Sequence, residues 1–360
     1  MPPIPLFIRY LHLTNFKNYT NISIHLEKSR TIITGYNGVG KTNLLDAIYY
    51  LSFTRSAFQQ DKQLIKHGEN FFRIEANFSK EGQHLLAEAT LTDTKHFSIN
   101  KYHYNTLAEY LGSFFVILLA PNDTDLIRGL SEERRSFFDS IFCQIDKDYL
   151  KNLSAYKKLI KQRNATLKLF KQKNNINYTL IEVYDEQIFP LIERIWQKRL
   201  YFMRILQDLL IKYYKEIVQK EEIIGLRYQS FCSENDDIGK IFKDNFLKDC
   251  FLERTTQGVH KDDYEFLLNT YPIKKFGSQG QQKTFVIALK LAIFELICLH
   301  TNTKPILLLD DILDKLDEQR SVQLLSLVQK EPFGQVILTE ANSQRAEQIN
   351  QNQEWQVIKL

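Results

Sequence analysis

The residues with the clearest chemistry are eight consecutive positions, Gly35-Tyr36-Asn37-Gly38-Val39-Gly40-Lys41-Thr42. They fit G-x-x-x-x-G-K-[ST], the phosphate-binding loop of nucleoside triphosphatases. Glycines let backbone amides surround a phosphate, and a helix that starts there adds partial positive charge. The pattern predicts that Lys41 reaches the β- and γ-phosphates of ATP and that the Thr42 hydroxyl binds Mg2+. A glycine turn followed by a chance lysine is the alternative.

A pair of carboxylates supplies the second half of such a site. Asp310 and Asp311 follow the apolar run Leu307-Leu308-Leu309. A P-loop ATPase needs an acid at a strand end to hold hydrated Mg2+, which is the role we expect for Asp310. Asp311 is placed to act as the general base that polarises the attacking water. Two aspartates after an apolar strand are also typical of a solvated turn. The metal-binding interpretation of this pair therefore depends on the presence of the phosphate loop.

A second helix start offers another anion site. Ser278-Gln279-Gly280 open a long apolar helical pattern, where Ser278 can cap the helix and Gly280 leaves its backbone amide open. Because the first loop already holds the phosphates within the molecule, this site predicts that ATP lies between two copies of the chain. An ordinary helix cap has the same composition, and the sequence alone leaves both interpretations open.

The elements that must position these residues can also be predicted. The strand Thr31–Thr34 precedes the phosphate loop and the helix Asn43–Tyr50 follows it. A glycine-free run from Ser131 to Lys220 predicts several long helices, capped at Ser131 and broken near residues 173–177. Toward the end of the chain the sequence again predicts alternating strands and helices. We therefore expect an α/β P-loop NTPase built from residues 1–122 and 251–360, with a mostly helical lobe inserted at 123–250.

Composition and charge narrow the functional class only slightly. The chain has 360 residues, 44% of them hydrophobic, and a formal net charge of +4, which permits nucleic-acid binding without arguing for it. No apolar run of about 18 residues and no signal peptide are seen in the sequence. The four cysteines are far apart and are expected to be free, mostly buried thiols in a reducing cytoplasm. Cys143, Cys232, Cys250 and Cys298 make up this set.

A basic stretch is the candidate DNA-binding face. Eight lysines and arginines, with no acid among them, lie between Lys151 and Lys173. Such a face could contact backbone phosphates, with Lys157, Lys158, Lys161 and Lys168 as the candidate contacts. Charge runs on helices are usually solvated, and that alternative is favoured on sequence alone. No base-reading motif is present.

Three further polar segments have less certain roles. Arg134-Arg135 and Gln162-Arg163-Asn164 are predicted to be internal, pairing with acids to hold the lobe on the core. His260 with Asp262 and Asp263 resembles a metal set but lacks a third well-spaced ligand. We interpret it as structural, or as a hinge near the nucleotide.

The order of these motifs resembles that of ABC-type ATPases of the SMC kind. Several segments resemble the RecF family of bacterial recombinational-repair proteins more specifically, over nearly the whole chain. These segments are Asn15–Tyr19 (NFKNY), Arg134–Asp139 (RRSFFD), Gln162–Ala165 (QRNA), Thr256–Asp263 (TQGVHKDD), Ser278–Gln282 (SQGQQ) and Leu309–Asp317 (LDDILDKLD).

The resemblance implies an ABC-type ATPase head in which a helical lobe replaces a long coiled coil. It implies an ATP-dependent homodimer in which Ser278, Gln279 and Gly280 of one subunit face the γ-phosphate held by the other. It further implies binding to double-stranded DNA near single-strand gaps, with RecR and RecO as partners in loading RecA. ATP and Mg2+ are the implied cofactors, hydrolysis is weak, slow and DNA-stimulated, and the location is cytoplasmic and nucleoid-associated, without a membrane.

Other functional classes remain as alternatives. An ABC transporter subunit would carry a switch histidine after the final strand, where Thr339-Glu340 stands. A structural SMC-like head would need a longer helical arm, and a small-molecule P-loop kinase would not need Ser278. Asn122-Asp123 after Pro121 departs from the Glu-Asp or Glu-Gly usual in the RecF family, so a metal-contacting role there is weakly supported.

Overall fold

The computed structural model describes residues 2–173, 178–218, 221–313, 316–330 and 333–360, without the side chains of 171–173. The predicted break at 174–177 and the segment Asp314-Lys315 lie outside these residues. Two compact units are present: Met1–Thr124 with Leu209–Glu221 and Ser278–Leu360, and Asp125–Asp208 with Glu222–Gly277. These bounds place residues 251–277 with the second unit, whereas the sequence-based division placed them with the ATPase core. Compactness alone does not define a functional domain, so the sequence-based division into an ATPase domain and an inserted lobe stays a prediction.

The secondary structure alternates between strands and helices at both ends of the chain and is mostly helical in the middle. The strands are β1 (Ile4–Pro5), β2 (Phe7–Phe16), β3 (Tyr19–His25), β4 (Arg30–Thr34), β5 (Phe72–Lys80), β6 (Gln83–Leu91), β7 (Lys95–Ile99), β8 (Tyr102–His103), β9 (Val116–Leu119), β10 (Ile224–Gln229), β11 (Asp263–Leu268), β12 (Tyr271–Pro272), β13 (Thr303–Lys304), β14 (Ile306–Leu309), β15 (Val336–Glu340) and β16 (Gln356–Lys359). The helices are α1 (Lys41–Phe53), α2 (Leu107–Tyr110), α3 (Asp125–Arg128), α4 (Ser131–Ile145), α5 (Lys147–Lys173), α6 (Tyr178–Val218), α7 (Ile238–Leu252), α8 (Ile273–Phe276), α9 (Gln279–Thr301), α10 (Glu318–Gln329) and α11 (Ser343–Ile349).

A five-stranded parallel sheet forms the framework of the first unit. Its strand order is β16-β4-β15-β14-β9, so strands from both ends of the chain lie side by side, as the sequence predicts. β15 pairs with β4 on one side and with β14 on the other. Parallel strands end at the same edge, which brings the residues after β4 and after β14 close together.

The helix that follows the phosphate loop lies between two sheets. The second sheet of this unit is antiparallel with the order β3-β2-β5-β6-β7-β8. One buried apolar cluster includes residues of α1 such as Leu45 and Ile48, of β5 such as Ile74, and of β14 such as Leu308. Burying α1 on both sides fixes its first turn, which carries Lys41 and Thr42.

The second unit is mostly helical, as predicted. It contains α4, α5, α7, the residues of α6 up to Asp208, and the antiparallel sheet β10-β11-β12. The predicted serine cap of α4 is wrong: Leu130 is the N-cap residue and Ser131 the first helical residue. The Glu133 carboxylate accepts a hydrogen bond from the Leu130 backbone at 2.9 Å, which supplies the cap instead.

One helix has the length and composition of a membrane span. Among the described residues only α9 passes this test, with a mean hydropathy of 1.8 in its most apolar window. Most of that window, 78%, is buried inside the fold. The apolar character of α9 is therefore explained by its place in the protein core.

Candidate functional site

The phosphate loop connects a buried strand to a buried helix. β4 is buried from Thr31 to Thr34, and α1 begins at Lys41 with Gly40 as its N-cap residue. Gly38 and Gly40 adopt φ angles of +86° and +116°, which side chains disfavour. The Lys41 ammonium group donates to the carbonyl oxygen of Gly35 at 2.8 Å. This strand-loop-helix context is the one that the motif requires for phosphate binding.

The predicted metal ligands are in direct contact, although 268 residues separate them in sequence. The Thr42 hydroxyl lies 2.9 Å from both carboxylate oxygens of Asp310. A third residue, Thr339 at the end of β15, donates to Asp310 Oδ1 at 2.9 Å. Burial raises the pKa of Asp310, although hydrogen bonds from Thr339 and Thr42 oppose that shift. A hydroxyl and a carboxylate at this edge of the sheet form a donor set that Mg2+ prefers.

Asp311 has a different environment from Asp310. Its φ of +42° is unusual for a residue other than glycine. Its backbone N–H donates to the Thr339 hydroxyl at 2.9 Å, and its carboxylate is only partly buried. The Thr339 hydroxyl lies 3.4 Å from Asp311 Oδ1 as well as 2.9 Å from Asp310 Oδ1, so both carboxylates lie beside it, and Asp310 also contacts Thr42. The role of Asp311 as a general base stays a prediction.

The start of α9 has the predicted serine cap. The Ser278 hydroxyl accepts from the Gln281 backbone at 3.2 Å, and the Ser278 backbone donates to the Gln281 side chain at 2.8 Å. Ser278 and Gln279 are exposed. A Cβ atom on Gly280 would lie 2.6 Å from the end of the Arg320 side chain, so a larger residue would require that side chain to move. The capping role is confirmed, while the contact with a second subunit's ATP stays a prediction.

The candidate DNA contacts all lie on α5 and are solvent-exposed. Lys157, Lys161 and Lys168 are separated by four and seven residues, so they share one face of the helix, with Lys158 beside them. Arg163 does not belong to this surface, because it is fully buried and paired with acids. The side chains of Lys171 and Lys173 lie outside the described residues. DNA binding by this face stays a prediction.

Two arginines of the middle segments, Arg134 and Arg163, pair with acids, as predicted. Arg134 forms a bidentate contact with Asp263, at 2.8 Å for each pair of atoms. Arg163 pairs with Asp185 and Asp249 at 2.7 Å each. All these acids belong to the second unit, so the pairs stabilise that unit from within. The expectation that these pairs hold the lobe on the core depends on where the domain boundary lies, and it stays a prediction.

Comparisons with known proteins agree with this architecture. The family of RecF/RecN/SMC N-terminal domains matches residues 7–358. A DNA replication and repair protein RecF from Cytophaga hutchinsonii is 40% identical over 95% of this chain and 91% of its own length. The RecF protein of Flavobacterium johnsoniae is 38% identical over 96% of both chains. The chain belongs to the RecF family.

Solved structures support the RecF assignment and the fold. The recombination mediator protein RecF with ATP, from the RecFOR pathway, matches with a TM-score of 0.86 and 27% identity over 94% of this chain and 92% of that chain. An Smc head domain from Pyrococcus furiosus matches with a TM-score of 0.54 and 18% identity over 94% of this chain and 90% of that chain, which shows the fold alone. The predicted ABC-type ATPase head is thereby confirmed.

His260 in the RecF-like GVHKDD segment has a structural role. Its Nδ1 lies 2.5 Å from the Tyr156 hydroxyl and its Nε2 lies 3.1 Å from the Thr255 carbonyl oxygen. Since a carbonyl only accepts, Nε2 carries the proton and Nδ1 accepts from Tyr156. Burial lowers the pKa of His260 to about 4. Across the described part of the chain no cluster of three metal-ligating side chains is found.

Two positions that depart from family or transporter patterns are held by internal pairs. Asp123 accepts from the Ala120 backbone at 2.7 Å and pairs with the Lys290 ammonium group. Glu340, at the position of the transporter switch histidine, is buried and lies 3.4 Å from Arg345. Both carboxylates are therefore engaged within the first unit.

Sequence reasoning missed several residues around the site. Thr339 bridges the two aspartates, but a threonine ending a strand carries no recognisable signal. Lys17 forms a buried ion pair with Asp46 at 2.7 Å. Asn18 contacts the phosphate loop at Val39. The NFKNY segment was the available signal for the last two, but its resemblance to the family gave no role for either residue.

Proposed function

We propose that this protein is an ATP-dependent DNA-binding protein of recombinational repair and replication. The contact between Thr42 and Asp310 carries the proposal, because it brings a hydroxyl and a carboxylate that are far apart in sequence together beside the phosphate loop, where Mg2+ would need them. Membership of the RecF family supplies the repair context. The protein acts in the cytoplasm, where its DNA substrate lies.

The residues at the site fit ATP and Mg2+. Gly35–Thr42 would hold the phosphates, Lys41 would neutralise them, and Thr42 with Asp310 would bind the metal. Bound ATP would supply a hydrolysable γ-phosphate and the free energy of its cleavage. The chain's own contribution would be to orient water and to accept its proton on Asp311.

The exposed start of α9 supports ATP-dependent dimerisation. Ser278 and Gly280 present a helix N-terminus, which attracts anions, at the protein surface. In the dimer each subunit would complete the ATP site of the other and so close around double-stranded DNA next to a single-strand gap. Slow, DNA-stimulated hydrolysis would reopen it. RecO and RecR are the proposed partners, with RecA loaded as a result.

The mass of the protein in solution tests this function. It should be monomeric without nucleotide and dimeric with ATP and Mg2+, and gapped duplex DNA should bind to the dimer more weakly at higher salt. Measuring at two salt concentrations separates phosphate contacts from other binding. A monomer under every condition would contradict the dimer.

Two variants divide the proposed site into its parts. Asp311→Asn should still dimerise with ATP but should stall turnover, because the amide cannot accept the water's proton. Ser278→Ala should bind ATP but dimerise poorly. Glu109→Gln, at an exposed position of α2 in the same unit, is a suitable control. If Ser278→Ala dimerises and hydrolyses ATP like the control, ATP is not shared between two subunits.

A further inference from the structure

The turn between β2 and β3 lies directly against the phosphate loop. The Asn18 side-chain amide donates to the carbonyl oxygen of Val39 at 2.9 Å. The same side chain accepts from the Asn43 amide at 2.8 Å. One asparagine therefore contacts both the loop and the first turn of α1.

The contact with Val39 has a consequence for the next peptide N–H. The peptide between Val39 and Gly40 is trans, so its C=O and N–H point in opposite directions. Because Asn18 holds the Val39 carbonyl on the side of the turn, the Gly40 N–H faces the opposite side of the loop. Phosphate loops bind anions through backbone amides that converge on one side. The Asn18 contact thus favours the backbone orientation that phosphate binding needs.

Gly40 is packed tightly against this turn. A Cβ atom at this position would lie 2.6 Å from the Tyr19 hydroxyl and 2.7 Å from the Asn18 side-chain nitrogen. Two features thus require glycine at position 40. Its φ of +116° is unfavourable for residues with a side chain, and the turn between β2 and β3 leaves no room for a Cβ atom. The Gly40 backbone has little room to rotate away from the orientation that Asn18 sets.

The turn is anchored to the rigid part of the unit. Lys17 pairs with Asp46 at 2.7 Å, and the two side chains are 8% and 0% exposed. Asp46 also accepts from the Ser56 hydroxyl at 2.6 Å and from the Ala57 backbone at 2.8 Å. Asp46 lies on α1 one turn beyond Asn43. Asn18 is therefore held by a neighbour that is itself fixed to the helix carrying Lys41 and Thr42.

We infer that Asn18 is a positioning residue for nucleotide phosphate, fixing the Val39-Gly40 peptide so that the Gly40 amide faces the ligand. The inference rests on the proposed ATP binding. Asn18 itself is exposed, so water can partly replace its hydrogen bonds, and the expected effect on affinity is moderate.

Two substitutions at Asn18 separate its hydrogen bond from its size. Asn18→Ala removes the contact and should weaken binding of Mg-ADP and Mg-ATP by about three- to tenfold. Asn18→Asp keeps the size but places an acceptor against the Val39 carbonyl, and it should weaken binding more than alanine does. Asn21→Asp is the matched control, since Asn21 is exposed on β3 of the same hairpin. It should stay within about twofold of the wild type.

Calorimetric titration with Mg-ADP, together with the melting temperature without nucleotide, is the decisive measurement. A positioning role predicts weaker binding with a melting temperature close to that of Asn21→Asp, and an increased KM with little change in kcat. Equal affinity of Asn18→Ala, Asn18→Asp and the control would overturn the inference while leaving ATP binding intact. A loss of melting temperature that matches the loss of binding would also overturn it, in favour of general packing. A wild-type protein that binds no nucleotide would overturn the proposed function, and the role of Asn18 with it.

Discussion

The motif residues of the two units differ in exposure. In the first unit some of them are accessible: Tyr36 of the phosphate loop is 90% exposed and Ser278 is exposed at a helix start, although Lys41 and Asp310 are buried. In the second unit the motif arginine Arg163 is 0% exposed and is enclosed by its acidic partners. A motif residue can therefore belong to a buried ionic network rather than to an accessible surface.

The centre of the second unit's network is an arginine that no motif predicted. Arg199 of α6 is 1% exposed and lies 2.9 Å from Asp139 and 2.7 Å from Asp262. Asp139 belongs to the RRSFFD segment and Asp262 to the GVHKDD segment. One side chain therefore links two segments that are far apart in sequence.

The largest effect on stability is expected from removing this arginine. Arg199→Met should lower the free energy of unfolding by about 3–5 kcal/mol, because two carboxylates lose their buried partner. Urea unfolding of the intact chain, monitored by circular dichroism, measures the change. Arg227→Met is the control: Arg227 pairs with Glu265 in the same unit but is 59% exposed, so its loss should cost less than about 1 kcal/mol. Equal losses in the free energy of unfolding for the two variants would show that the buried ion pairs stabilise the protein no more than an exposed pair does.

In the first unit, by contrast, a motif substitution is expected to reduce ligand binding rather than stability. Lys41→Ala should weaken ATP binding by about tenfold to a hundredfold and prevent ATP-driven dimerisation, because a charge-assisted contact to phosphate is lost. The melting temperature without nucleotide should change little. Lys62→Ala, an exposed lysine of the same unit, should bind ATP normally. If Lys41→Ala unfolded the protein as Arg199→Met is expected to, the distinction between the two units would fail.

A third prediction tests whether the second unit also has a ligand-binding surface. Replacing Lys157, Lys158, Lys161 and Lys168 by glutamine should weaken binding to duplex DNA. It should also flatten the dependence of log K on log salt by about 0.9 for each phosphate contact that is lost. Glutamines at Lys240, Lys243 and Lys248, exposed on α7 of the same unit, provide the comparison. If the α5 and α7 substitutions reduce the salt dependence of DNA binding equally per residue, the basic face of α5 is not a specific DNA-binding surface.

Sequence reasoning was most accurate where local patterns determine the structure. The phosphate loop is determined by closely spaced glycines between an apolar strand and a helix. The Thr42–Asp310 contact follows once the strands that precede the two residues share a parallel sheet. Nothing local could predict Thr339 or Arg199, because their importance arises from partners brought together only by folding. The Ser131 cap was mispredicted because α4 begins one residue earlier than expected, with Leu130 at the N-cap, and the Glu133 carboxylate accepts from the Leu130 N–H.

The smallest expected effect concerns His260, whose burial lowers its pKa to about 4, below the ordinary value of 6.5. A histidine with a depressed pKa in the folded state takes up its proton more readily when unfolded. Its contribution to stability is therefore complete above pH 6.5 and is lost as the pH falls toward 4. Between pH 7 and pH 5 this loss should amount to about 1–2 kcal/mol.

Replacing the histidine by a residue that does not titrate isolates this contribution. His260→Gln should show a smaller fall in the free energy of unfolding from pH 7 to pH 5 than the wild type, as measured by urea unfolding at both values. His84→Gln, at an exposed position, should leave the pH dependence unchanged. Lys261 and Arg135 near His260 also lower its pKa, whereas Asp249 raises it, so the full effect requires these neighbours to keep their charges. An identical pH dependence in the wild type and His260→Gln would mean that His260 is solvated. The difference in exposure between the motif residues of the two units would then not extend to His260.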